Sequence, residues 1–243
     1  IVRLIVSSQA YRQSSIPDPV MFQADPENDL FTRQARFRLP AEVIRDQALA
    51  ISGLLVERLG GPSARPYQPE GYYAHLNFPK REYQADTDLG QYRRGLYVHW
   101  QRQFLHPMLR AFDAPSREEC TAKRPSSNTP IGALTLLNDP SFVEAARVFA
   151  SALLVDHGGT DFERLTLAWR SALARDPTDR ELAALDQLLN ASRADYQSDP
   201  SAASALCGTG LAPVPEEIDR VELAAWTTVC RAIFNLHETI TRH

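Results

Sequence analysis

The chain has 243 residues, and 26 lysines and arginines against 30 aspartates and glutamates leave a net charge of −4. Hydrophobic residues make up 44% and charged residues 23%, the balance of an ordinary globular protein. That balance excludes a disordered tail, a collagen-like repeat and a disulfide-dense miniprotein, and the lack of a basic excess argues against a nucleic-acid module. The chain opens in an apolar helical pattern, Ile1-Val2-Arg3-Leu4-Ile5-Val6, with no capping residue before it. This start leads us to expect a C-terminal fragment of a longer polypeptide. Ile16-Pro17-Asp18-Pro19 begins a polar loop. Pro40 starts a helix with Ile44, Ala48, Ile51, Leu55 and Leu59 on one face, stopped by Gly60-Gly61. From Pro62 to Gln91, Pro, Tyr and Gly recur without periodicity. A loop this long is functional or is packed down by its own aromatics. Leu96, Trp100 and Phe104 then follow helical spacing, broken near His106-Pro107.

The second half is punctuated more clearly. Asp139-Pro140 opens a helix with Phe142, Val143, Ala146, Phe149, Ala150, Leu153 and Leu154 as its apolar stripe, ended by Gly158-Gly159. Thr160-Asp161-Phe162-Glu163 and Thr178-Asp179-Arg180-Glu181 are capping boxes. They precede helices that bury Leu165, Trp169 and Leu173, and Leu182, Leu185, Leu188 and Leu189. Asp199-Pro200 opens a short helix. The last helix runs from about Asp219, with Ala225, Trp226, Val229, Cys230, Ile233 and Phe234 inward. The expected fold is therefore mainly α: one domain over 1–243, an irregular helical bundle with long ordered loops and at most a small β element from 35–39 or 96–100. The irregular half is 1–130 and the regular helical half 131–243. No run approaches the roughly 18 apolar residues of a membrane helix.

The stretch from Phe112 to Pro140 is the most unusual. Asp113 or Ser116, Thr129-Pro130 and Asp139-Pro140 are helix-start devices, and Arg117, Lys123 and Arg124 add cations. One reading is a pocket for an anionic or hydroxylated ligand; the other is that Asn128, Asn138 and Asp139 cap helices while Arg117 and Arg124 pair with acidic neighbours. Arg93, Arg94 and Tyr97 join the same pocket if their segment packs beside it. The candidate ligand contacts are thus Arg93, Arg94, Tyr97, His106, Asp113, Arg117, Cys120, Arg124, Asn128, Thr129 and Asn138, with no metal site. Tyr67, Tyr72, Tyr73, Phe78, Tyr83 and Tyr92 form either a sugar-stacking platform or anchors for the loop. Among His75, His99, His106, His157, His237 and His243, His106 is the best single ligand or acid/base candidate. His237-Glu238 with His243 has the wrong spacing for a zinc protease, and no Gly-x-Ser-x-Gly, P-loop or Gly-x-Gly-x-x-Gly occurs. Cys120, Cys207 and Cys230 are far apart, so no Cys-x-x-Cys site is encoded, and Cys230 reads as a core thiol. A hydrolase using Asp113 or Glu119 with His106 has no supporting pair at recognisable spacing.

Several segments resemble the PSD-one C-terminal domain of unknown function of planctomycete-type cytochrome c proteins. They are residues 4–15, Ile44-Arg45-Asp46, Gly61-Pro62-Ser63, Pro66-Tyr67-Gln68-Pro69, residues 91–97, the 112–140 stretch, and Asn235-Leu236-His237-Glu238-Thr239-Ile240-Thr241-Arg242. Gly132 stands where the family pattern has Gln. The resemblance implies an exported protein, periplasmic or in the cell envelope. Its Cys-x-x-Cys-His haem c module would precede this domain on the same polypeptide, while the present chain carries no cofactor of its own. It implies an electron-transfer setting linked to polysaccharide use, with upstream domains and glycan as partners and neither nucleic acid nor a membrane span. Two functions compete: an accessory domain supplying a ligand surface to a haem-dependent oxidoreductase, and a non-catalytic glycan-binding or scaffolding module.

Overall fold

The computed structural model describes residues 1–74, 82–101 and 104–242; Phe78, His75 and His243 lie outside them. The fold is mainly α, with one two-stranded sheet among the described residues. Contacts divide the chain into two compact units.

The smaller unit is Ile1–Leu39 with the chain end from His237. Helix α1 (Val2–Val6) has no side-chain cap and no buried residue. Asp18 caps α2 (Pro19–Ala24) by accepting the Val20 N–H at 2.9 Å. Strand β1 (Phe37–Arg38) pairs antiparallel with β2 (Thr241–Arg242), Phe37 opposite Arg242. The Arg242 guanidinium covers the rings of Tyr11 (4.5 Å) and Phe37 (5.6 Å). These cation–ring contacts add to the few backbone hydrogen bonds of so short a ladder.

The larger unit spans Pro40–Leu236. Helix α3 (Ala41–Ile51) ends eight residues before the expected stop at Leu59. Gly53 adopts φ +77, and the Leu55 N–H returns to the Leu49 carbonyl at 3.0 Å, a left-handed C-terminal cap. Leu59 is consequently exposed. The apolar spacing of Leu96, Trp100 and Phe104 is also not a helix. That segment holds 3-10 turns at Leu89–Tyr92 and Gly95–Tyr97, then α4 (Pro107–Ala111). Helices α5 (Pro130–Asn138), α6 (Pro140–Val155), α7 (Asp161–Leu173), α8 (Asp179–Ser198), α9 (Pro200–Cys207) and α10 (Arg220–Phe234) follow.

Both capping boxes form, with the threonine and glutamate side chains each bonding the other's backbone. Asp139, Asp199 and Asp219 cap α6, α9 and α10 as their sequence positions predict. Helix α10 is the centre of the bundle and packs on α6, α8 and α9; Trp226, Val229, Cys230 and Ile233 are fully enclosed. Arg193 of α8 joins Asp161 of α7 (2.6 Å) and Glu222 of α10 (2.5 and 2.8 Å), so one guanidinium fixes three helices. Cys230 is buried, and burial pushes its thiol pKa well up.

Candidate functional site

The irregular segments of the larger unit are held by buried charges that reach backbone carbonyls. Arg45, on the inner face of α3, donates to the carbonyls of Arg93 (2.6 Å) and Gln91 (2.5 Å). Burial lowers its pKa, against the pull of Asp46 and Asp139. The adjacent Asp46 accepts the Gly95 N–H at 2.6 Å; burial raises its pKa and this bond opposes the rise. Gly95 can come this close only because it lacks a side chain: a Cβ would sit 2.7 Å from the Glu42 carbonyl oxygen.

Residues 91–95, so fixed, aim Arg93 back across the chain. Its guanidinium donates to the carbonyls of Pro62, Gly60 and Arg58 and lies 4.1 Å above the Tyr97 ring. The Tyr97 hydroxyl accepts the Gly60 N–H at 3.0 Å. Arg93 is 2% exposed, and no carboxylate among the described residues pairs with it. The bend at 58–62 is therefore pinned from beneath by a single cation.

Above this bend lies a cleft of about 650 Å³, with Arg58, Arg65, Asp86, Asp88, Arg93 and His99 among its lining residues. Its two carboxylates are engaged by the backbone. Asp86 accepts the Arg65 N–H at 2.7 Å, and Asp88 accepts the Gly90 N–H at 2.8 Å. The Arg58 and Arg65 side chains are hydrogen-bonded to no described residue and ion-paired with none. Charged donors and charged acceptors thus share one concavity without neutralising each other. Such a site matches a ligand that both donates and accepts, as a polyhydroxyl compound does.

A second network closes the interior. Glu144 of α6, 1% exposed, accepts the hydroxyls of Tyr67 and Tyr92 (2.8 Å each) and the N–H groups of Leu211 and Ala212 (2.6 Å each). Arg147, one turn on, donates to the carbonyls of Thr209, Ala212 and Pro213. Gly210, at φ +93, is required where the loop crosses the Glu144 carboxyl, because a Cβ there would overlap it.

The residues singled out in the sequence divide among several environments. Arg93 lines the cleft and stacks on Tyr97, which does not line it, and Arg94 lies at the surface 3.5 Å from Glu57. His106 is buried, with Nε2 donating to the Tyr67 carbonyl at 2.9 Å; burial pushes its pKa down to about 4. Asp113, at φ +59, accepts the N–H and hydroxyl of Ser127 at 2.8 Å. Arg117 covers the Trp100 ring at 3.8 Å, and Arg124 pairs with Glu42 at 2.8 Å. Cys120 and Asn128 are exposed. Thr129 caps α5, and the Asn138 amide donates to the Leu134 carbonyl at 2.9 Å. Asn138 borders a separate, mainly apolar hollow of about 460 Å³ with Met108, Ile131 and Leu134. Of the sequence candidates, the cleft thus gathers Arg93, with Tyr97 behind it.

The described loop aromatics act as anchors. Tyr72 and Tyr83 donate to the carbonyls of Leu105 and Pro66, and Tyr73 meets Tyr83 and Phe104 edge-on. The sequence reading passed over Arg58, Arg65, Asp86 and Asp88. Their signal was charge inside a proline-rich loop, above all the Asp86-Thr87-Asp88 doublet.

Among the described residues no group of three His, Cys, Asp or Glu is placed to hold a metal, and no helix is long and apolar enough to cross a membrane. The chain has no Cys-x-x-Cys-His, so its own residues do not fit covalently attached haem. No curated protein and no solved structure matches the chain. The family described as PSD1, protein of unknown function (DUF1553), matches residues 1–189, and the chain belongs to that family.

Proposed function

We propose that this chain is a binding module that holds a glycan segment in the Arg93 cleft. We further propose that it serves an exported protein whose haem c, carried by another domain of the same polypeptide, performs the electron transfer. The resemblance to cytochrome-associated domains supports the setting. The observation that carries the binding role is the coexistence of unpaired guanidinium groups (Arg58, Arg65) with backbone-held carboxylates (Asp86, Asp88). Carboxylates accept from sugar hydroxyls and guanidinium groups donate to them, and each such charge-assisted bond contributes more than a neutral one.

The test is calorimetric titration of the 243-residue chain with soluble polysaccharides. Binding is expected to weaken roughly tenfold in Asp88→Asn combined with Arg65→Gln. Failure to bind any glycan overturns the binding role. For the setting, haem reduction in the intact polypeptide by the glycan that binds is expected to slow in the same variant; an unchanged rate removes the link to electron transfer.

A further inference from the structure

We propose that the sugar held in the cleft is acidic: one uronate carboxylate or one sulfate ester, its oxyanion lodged over Gly61 between Arg58 and Arg93. This rests on the glycan-binding reading of the same cleft and adds the chemical class of the sugar. Three guanidinium groups (Arg58, Arg65, Arg93) line the cleft against two carboxylates (Asp86, Asp88), which leaves one positive charge to be met. The excess has a location. Arg58 Nη2 and Arg93 Nη1 lie 3.4 and 3.8 Å from one point, where a Gly61 Cβ would stand. That point lies one bond length from the Gly61 Cα, so it marks a direction and not a binding position: Gly61, at φ +86, leaves its face bare of a side chain where the two like charges converge beside a concavity. Their repulsion is strengthened by the burial of Arg93, and an oxyanion resting against the bare face of Gly61, within reach of both, relieves it. Arg93, tethered by three carbonyls, is preorganised and needs no rearrangement when the anion arrives. Asp86 and Asp88, on the chain leading to Gly90, remain to take the hydroxyls of the same sugar.

Polymers differing only in charge provide the test. Polygalacturonate against its fully methyl-esterified form isolates a carboxylate, and dextran sulfate against dextran isolates a sulfate. At least one charged member is expected to bind roughly tenfold tighter than its neutral counterpart, and Arg58→Gln to erase that preference. Asp86→Asn keeps an oxygen for the Arg65 N–H while removing a negative charge, so it is expected to widen the preference for the charged member over the neutral one, whatever it does to the hydroxyl contacts that both share. Arg180→Gln, at an exposed site on α8, tests for mere bulk charge and is expected to change nothing. Equal binding of both members in both pairs overturns the acidic-sugar assignment and leaves glycan binding standing. Binding of no polymer overturns both. A preference that survives Arg58→Gln, falls in Asp86→Asn or falls in Arg180→Gln places the anion elsewhere and overturns the assignment.

Discussion

Replacing Glu144 by Gln tests whether the interior is held as described. The carboxylate collects two tyrosine hydroxyls and two backbone N–H groups, all within 2.6 to 2.8 Å, beside the buried Arg147. The amide keeps the shape and removes the charge. Four charge-assisted bonds become neutral or are lost, at about 1 kcal/mol each. Arg147 is left as a buried cation without its counter-ion, a change that by itself costs about 3–5 kcal/mol when a pair is broken. Because its guanidinium retains three carbonyls and stands 3.9 Å from the carboxylate, that second cost is largely offset, and we expect a loss of about 4 kcal/mol from the four bonds. For a chain of this size that is a fall in Tm of about 8–16 °C. Urea unfolding followed by circular dichroism reads the loss directly. Tyr92→Phe removes one donor and leaves the charge in place, so it should cost only about 1–2 kcal/mol. A loss below about 1 kcal/mol in Glu144→Gln, or equal losses in the two variants, would refute the view that this carboxylate fastens the 209–213 loop.

Two further predictions concern the frame of the cleft. Burial holds His106 near pKa 4, while an unfolded histidine titrates near 6.5, so below pH 6.5 the unfolded chain takes up a proton that the folded chain refuses. Stability should therefore fall from pH 6.5 toward pH 4, by about 3 kcal/mol in full. The raised pKa values of Asp46 and Asp139 act in the opposite direction, so the measured quantity is the difference in pH slope between wild type and His106→Gln, and parallel slopes exclude this origin. Gly95→Ala should destabilise by about 1–3 kcal/mol, because its methyl group meets the Glu42 backbone rather than a movable side chain. A thermal melt that coincides with wild type would show that α3 and the 91–95 segment are not in the contact described.

The helical half was legible because its signals are local. Thr160 with Glu163 and Thr178 with Glu181 satisfy one another within four residues, and the stripes of α6 and α10 repeat at the helical period. The loop half was not, because its partners are remote. Arg45 bonds a carbonyl 48 positions away, and Glu144 reaches backwards to Tyr67 and forwards to Ala212. Leu55 and Leu59 kept the apolar period of α3, yet Gly53 turned the chain before either could join the helix. The same blindness applies to the site. Arg93 was singled out beside Arg117 and Arg124, each of which has a partner on another segment, whereas Arg58 and Arg65 carried no local pattern.

Main-chain oxygens are chemically the same whatever residue bears them. Arg93 grips three of these between positions 58 and 62, Arg147 three between 209 and 213, and Arg231 the one at 137. Such clasps read no side chain in the segments they hold, where the left-handed bends at Gly60, Gly61 and Gly210 are the positions that resist substitution. Those glycines aside, the side chains around the mouth of the cavity can therefore change while the arginines beneath keep the path of the chain. That separation of grip from side-chain identity lets the path of the chain outlast substitutions along the rim. It also concentrates fragility in a few guanidinium groups that lysine, with a single ammonium point, is unable to replace.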